Sequence, residues 1–105
     1  MARIDQIVEM LKTDPEDSFL LFALAKEYEK SGQEKMALTT YNKLLKTDPD
    51  YLGLYYHLGK LYESLDQKED ALSTYDLGIA LGTKLKDLHA LSELKSAKMN
   101  CEMDL

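Results

Sequence analysis

A five-residue phrase occurs twice in this chain, as Leu11-Lys12-Thr13-Asp14-Pro15 and as Leu45-Lys46-Thr47-Asp48-Pro49, 34 residues apart. A fixed period of this length restricts the fold to a repeated unit, because so short a unit cannot bury its apolar face alone and must pack on its neighbours. The period is not confined to the phrase. Shifting the chain by 34 superimposes Leu20 on Leu54, Leu24 on Leu58, Lys26 on Lys60, Tyr28 on Tyr62 and Glu29 on Glu63. It also superimposes Gln33 on Gln67, Ala37 on Ala71, Leu38 on Leu72, Thr40 on Thr74 and Tyr41 on Tyr75. These ten identities fall within the 32 positions from Ser18, where chance pairing at ordinary composition gives about two.

Within each period the apolar residues recur at helical spacing. A first helix carries Ile4, Ile7, Val8 and Leu11, widened by Met10, and Pro15 stops it. Asp17 or Ser18 then caps a second helix from about Ser18 to Ser31, with Leu20, Leu21, Leu24 and Tyr28 on its buried side. Gly32 ends that helix by accepting the left-handed conformation. A third, from about Glu34 to Lys46, presents Ala37, Leu38, Tyr41, Leu44 and Leu45, and Pro49 closes the unit. The fourth helix (Leu54, Tyr55, Leu58, Gly59, Leu61, Tyr62, Leu65) and the fifth (Ala71, Leu72, Tyr75, Gly78, Ile79) repeat the pattern. Where the phrase is due a third time the chain reads Ile79-Ala80-Leu81-Gly82-Thr83, with no proline. Either Gly82 ends the fifth helix, or the helix continues to about Lys86 and Asp87 caps the last one. The second reading is preferred, since a glycine inside a helix costs only about 1 kcal/mol. The sixth helix, from Asp87 to about Asn100, carries Leu88, Leu91, Leu94, Ala97 and Met99, and Cys101 to Leu105 are expected to fray.

With 105 residues, 45% hydrophobic and 30% charged, the chain is read as one folded domain. No apolar run approaches the ~20 residues of a membrane span, and the start Met1-Ala2-Arg3-Ile4 lacks the features of a secretory leader. The single cysteine, Cys101, rules out an internal disulfide framework, which makes a reducing cytoplasm the expected location. A net charge of −6 argues against nucleic acid as a partner, because such binding rests on Lys and Arg neutralising phosphates.

Leu24-Ala25-x-x-Tyr28 followed by Ala37-x-x-x-Tyr41 and Pro49 resembles the tetratricopeptide repeat (TPR) signature, and Leu58-Gly59-x-x-Tyr62 with Ala71-x-x-x-Tyr75 resembles a second copy. Leu21 and Tyr55 stand where the family often has tryptophan, Tyr41 and Tyr75 stand for phenylalanine, and Thr83 replaces the terminal proline. The resemblance implies an all-α, right-handed superhelical stack of antiparallel helix pairs. It divides the chain into a half repeat (3–15), two full repeats (18–51 and 52–85) and a capping helix (87–101).

It also implies a function: a non-enzymatic scaffold that binds a segment of another protein in a concave groove lined by the first helix of each pair. The groove residues would be Phe19, Phe22 and Lys26 from one repeat and Tyr56, His57 and Lys60 from the next, extended by Ala23, Lys30, Gly53, Ser64 and by Ala90, Leu91 or Leu94 of the last helix. Aromatics and cations are typical anchors for such segments. The alternative for the same residues is that Phe22 and Tyr56 pack on neighbours while Lys26 and Lys60 pair with Glu29 and Glu63 one turn on. TPR proteins that grip a chaperone's C-terminal carboxylate use a clamp of lysine, asparagine and arginine. The matching positions here hold Phe22, Lys26, His57, Asp87 and Leu91, so that clamp is not expected. Self-association through the terminal helices is a separate possibility, because Ile4, Ile7, Val8, Met10 and Leu11 at one end, and Leu85, Leu88, Leu91 and Leu94 at the other, spread apolar surface widely. No catalytic, cofactor or metal site is expected. His57 and His89 lack ligand companions at helical spacing, Gly78 and Gly82 lie near a helix end rather than in a phosphate loop, and Cys101 reads as an exposed thiol without an activating neighbour.

Overall fold

The computed structural model describes residues 2–104, and their regular structure is helical throughout. The six helices are α1 (Ala2–Thr13), α2 (Ser18–Lys30), α3 (Glu34–Thr47), α4 (Gly53–Ser64), α5 (Lys68–Leu85) and α6 (Leu88–Met103). The sequence suggests one continuous domain; the packing falls into two compact units that part between Tyr51 and Leu52.

The turns repeat as closely as the helices do. Gly32 follows α2 with φ +77°, and the Gln33 N–H donates back to the Tyr28 carbonyl at 2.8 Å. At the same place after α4, Asp66 takes φ 61°, and the Gln67 N–H donates to the Tyr62 carbonyl at 2.9 Å. Both are helix stops in which a left-handed residue lets the next N–H satisfy a late helical carbonyl. Glycine adopts that conformation freely, whereas Asp66 holds it against its own Cβ. The N-termini of α2 and α6 are capped by side chains: Asp17 accepts from the Leu20 N–H at 2.9 Å and Asp87 from the Ala90 N–H at 3.0 Å. Of the two caps considered for α2, Asp17 serves; the Ser18 hydroxyl donates instead to Asp48, tying the start of α2 to the end of α3.

The missing third phrase shows in helix length. Pro15 and Pro49 follow the ends of α1 and α3, while α5, with Thr83 where a proline would stand, runs on for 18 residues against 14 in α3. It ends at a left-handed Lys86. Gly78 and Gly82 are buried in the second half of α5, Gly82 in its last turn. The helix α6 also outruns its expected limit. Cys101 to Met103, expected to fray, are helical, and the Cys101 side chain is buried rather than exposed.

In the first unit Ile4 and Ile7 of α1 pack with Leu24, Leu20 and Ala23 of α2. Ala25 and Ala37 are fully buried together with Tyr41 and Leu44. In the second unit Leu54, Leu58, Ala71 and Tyr75 occupy the corresponding places, Leu61 is buried with them where the first unit has Glu27, and α6 adds Leu94, Ala97 and Cys101. The tightest approach is at Gly59: a Cβ built there would lie 2.2 Å from Cε1 of the Tyr75 ring. That ring is wholly buried and cannot swing away.

Two stability measurements follow from these features. Gly59→Ala should lose about 1–3 kcal/mol in urea unfolding through overpacking against Tyr75, even though alanine is the better helix former. Asp66→Gly should gain up to about 1 kcal/mol, the left-handed penalty less glycine's larger entropy loss, and Gly32→Asp should lose a similar amount.

Candidate functional site

Phe22 and Lys26 lie one turn apart on α2, so they share a face. The Phe22 ring is half-buried, 5.3 Å from the Tyr51 ring and 6.3 Å from Tyr41. The Lys26 ammonium sits 5.6 Å from the Phe22 ring centre, within cation–π range. Tyr51 itself is held protonated above the ordinary phenol range by burial and by Asp48 and Asp17. Phe19, three residues before Phe22, is 69% exposed.

The matching face of α4 has a different setting. Tyr56 and Lys60 line a cleft of about 300 Å³ whose other wall is α6, through His89, Ser92, Glu93, Ser96, Ala97 and Asn100. Tyr56 also borders a smaller cleft of about 180 Å³ with Leu52, Gly53, Asp87, Ala90, Glu93 and Leu94. Lys60 lies 4.0 Å from Glu63, and His89 lies 3.6 Å from Glu93. The larger cleft thus gathers an ammonium, a carboxylate, an imidazole, hydroxyls and an amide around an aromatic ring. Such a mixture suits a polar stretch of polypeptide better than an apolar ligand. His57 stacks edge-on against Tyr56 at 5.5 Å but does not line this cleft.

The structure therefore separates residues expected to act alike. Lys26 lies over an aromatic ring, while Lys60 takes the expected glutamate partner at long range. Of the α6 residues expected in the groove, Leu94 is buried and Leu91 half-buried. The polar line of His89, Glu93, Ser96 and Asn100 was missed, although its spacing of four, three and four marks one helical face. Among the described residues, no three His, Cys, Asp or Glu side chains converge as a metal site would require, and no helix is long and apolar enough to cross a membrane. Cys101 is only 2% exposed, and its thiol is pushed up by burial first and then by Glu63.

A second repeated feature supports the site from behind. The Tyr41 hydroxyl donates to Glu29 and, 34 residues on, the Tyr75 hydroxyl donates to Glu63. Burial, then these carboxylates, push both phenols well above their ordinary range. Glu63 thus joins the core ring of Tyr75 to Lys60 at the cleft.

Comparison with known proteins bears on what such a pair of units is. A family model described as TPR repeat matches residues 25–66, and another described as tetratricopeptide repeat matches residues 52–81. The crystal structure of a tetratricopeptide repeat domain protein from Salinibacter ruber is 46% identical, over 83% of this chain and 98% of that one, with a TM-score of 0.79. The chain belongs to the tetratricopeptide repeat family. Two more distant TPR structures share the fold. The TPR2B domain of yeast Sti1, in its pHsp70 complex, is 19% identical over 97% of this chain and 82% of that one, with a TM-score of 0.89. The first TPR of Spaghetti (RPAP3), bound to the HSP90 peptide SRMEEVD, is 21% identical over 92% and 75%, with a TM-score of 0.74. No curated protein sequence matches the chain.

The tyrosine–glutamate ties of this TPR chain make an alkaline prediction. In the unfolded state these phenols ionise near their ordinary value of 10.0, whereas in the fold they stay protonated. The folded state therefore binds more protons above that value, and stability present below it is lost as pH rises further. The urea midpoint should hold from neutral pH until pH approaches about 10 and fall beyond it, and Tyr41→Phe with Tyr75→Phe should flatten that fall. At neutral pH each single variant should lose about 0.5–1.5 kcal/mol.

Proposed function

We propose that this TPR chain is a non-enzymatic scaffold that binds a segment of a partner protein through the exposed faces of α2 and α4. The observation that carries the reading is the cleft of Tyr56 and Lys60 against the polar line of α6, which offers both charges and several hydrogen-bonding groups around one aromatic ring. In this reading Tyr56 and Lys60 make the principal contacts and His57 orients Tyr56. Phe19, Phe22 and Lys26 supply a further aromatic and basic face in the first unit. The peptide and chaperone complexes of the two distant structures support a polypeptide ligand as a class. The ligand need not be theirs, since the positions matching the carboxylate clamp hold Phe22, His57, Asp87 and Leu91 beside Lys26. Neither a nucleic acid nor a membrane enters this reading, and with one buried thiol the cytoplasm is the compartment we assign.

Self-association is a second reading, favoured by apolar side chains left in solvent. Leu88 is 78% exposed, and Val8, Met10, Leu85, Met99 and Met103 are also exposed. The leucines expected to form one broad apolar surface on α6 divide: Leu94 is covered and Leu88 is not.

The main reading is tested by affinity capture from lysate of the source organism, comparing the native chain with Tyr56→Ala/Lys60→Glu. Loss of the captured proteins, with helical content and melting temperature retained, is the expected result. Phe22→Ala belongs in a separate variant, because Phe22 also packs on Tyr41 and Tyr51. Equal capture by native and variant chains defeats the reading.

A further inference from the structure

The first unit contains a cleft of about 420 Å³ unrelated to the faces described above. Leu21 and Leu24, both buried, form its floor, and Val8, Leu11 and Pro15 its wall. Thr39 and Thr40 border it too, but their hydroxyls donate to the Lys35 and Met36 carbonyls, so they present little polarity. The charged residues lining it are Lys12 and Lys43. Lys12 pairs at 3.1 Å with Glu9, both well exposed, an arrangement easily exchanged for another partner. An apolar floor edged by two ammonium groups calls for an apolar side chain next to acids.

The C-terminal end of α6 has that chemistry. Met99 and Met103, one turn apart, are 55% and 71% exposed. The last turn contains Glu102 and no base, and Asp104 follows it. Helix ends of this polarity carry partial negative charge from unpaired carbonyls. Lys68, which donates to the Asp104 carbonyl at 3.0 Å, meets part of it. Methionine's unbranched thioether also adapts to irregular apolar clefts. We propose that the C-terminal end of α6 from a second copy docks in the α1–α3 cleft of the first unit, Met99 and Met103 on Leu21 and Leu24, with Glu102 and Asp104 meeting Lys12 and Lys43. The proposal rests on the self-association reading and names its contact. Because the two surfaces differ, association is head-to-tail and adds copies beyond a dimer unless a ring closes.

Sedimentation equilibrium of the chain from micromolar to millimolar concentration is the test. The weight-average mass should rise above 12.0 kDa with concentration and fall back with added salt. Lys12→Glu/Lys43→Glu and Glu102→Lys/Asp104→Lys should each stay monomeric alone, and their equimolar mixture should associate again. A native chain monomeric throughout overturns both this proposal and the self-association reading. Association that survives in either variant, or a mixture that stays monomeric, overturns the α6 contact alone.

Discussion

The structure depends on one contact made twice: a tyrosine ring packed against the small residues of the paired helix, with its hydroxyl given to a glutamate on that helix. Tyr41 and Tyr75 are wholly buried, as are Ala25 on α2 and the alanines one turn before each tyrosine, Ala37 and Ala71, and the Tyr75 ring lies against Gly59 of α4. Without a small residue opposite, the ring would not fit; at Gly59 not even a methyl group is admitted. Without Glu29 or Glu63, the buried phenol would lose its acceptor, and an unpaired buried polar group costs about 1–3 kcal/mol. Apolar volume fixes how near the helices come, and the hydrogen bond adds a directional restraint across each pair.

Much of this was legible from the period alone. The helix pairs follow from matching the chain to itself at 34 residues, and Pro15 and Pro49 mark where α1 and α3 stop. The continuation of α5 past Gly82 to a capping Asp87, preferred over a stop at Gly82, came instead from the modest cost of a glycine inside a helix. What escaped has a common physical cause. The Glu29–Tyr41 and Glu63–Tyr75 ties each join residues 12 apart on two helices, a relation that no single-helix spacing exposes, even though both members repeat. Cys101 falls in a terminal stretch that is expected to fray. Only the packing of α6 on α5 and α4 decides that its side is the inner one.

The candidate site shows the same limit more sharply. Phe22 and Tyr56 occupy equivalent positions, as do Lys26 and Lys60, and symmetry predicts two equivalent surfaces. They are not equivalent, because the surroundings break the period. Tyr51 supplies a ring for Phe22 to pack on, whereas the residue 34 positions later is Leu85, which is half-exposed and not aromatic. Behind Tyr56 stands α6, a helix with no counterpart in the repeat, carrying the polar line that turns a flat face into a cleft.

Repetition and recognition are therefore written in different residues. Positions that match at 34 are mostly those that pack: Leu24 and Leu58, Ala37 and Ala71, Tyr41 and Tyr75. They must match, because each pair of helices solves the same packing problem. A partner that meets such a surface gains specificity only where the copies differ, since identical neighbours offer it no preferred register. The differences lie at Ala23 against His57, Phe22 against Tyr56, and throughout α6. The lysines make the point most directly, for Lys26 and Lys60 are the same residue in the same register, yet one lies over a ring and the other beside a carboxylate. Their chemistry is set by what does not repeat.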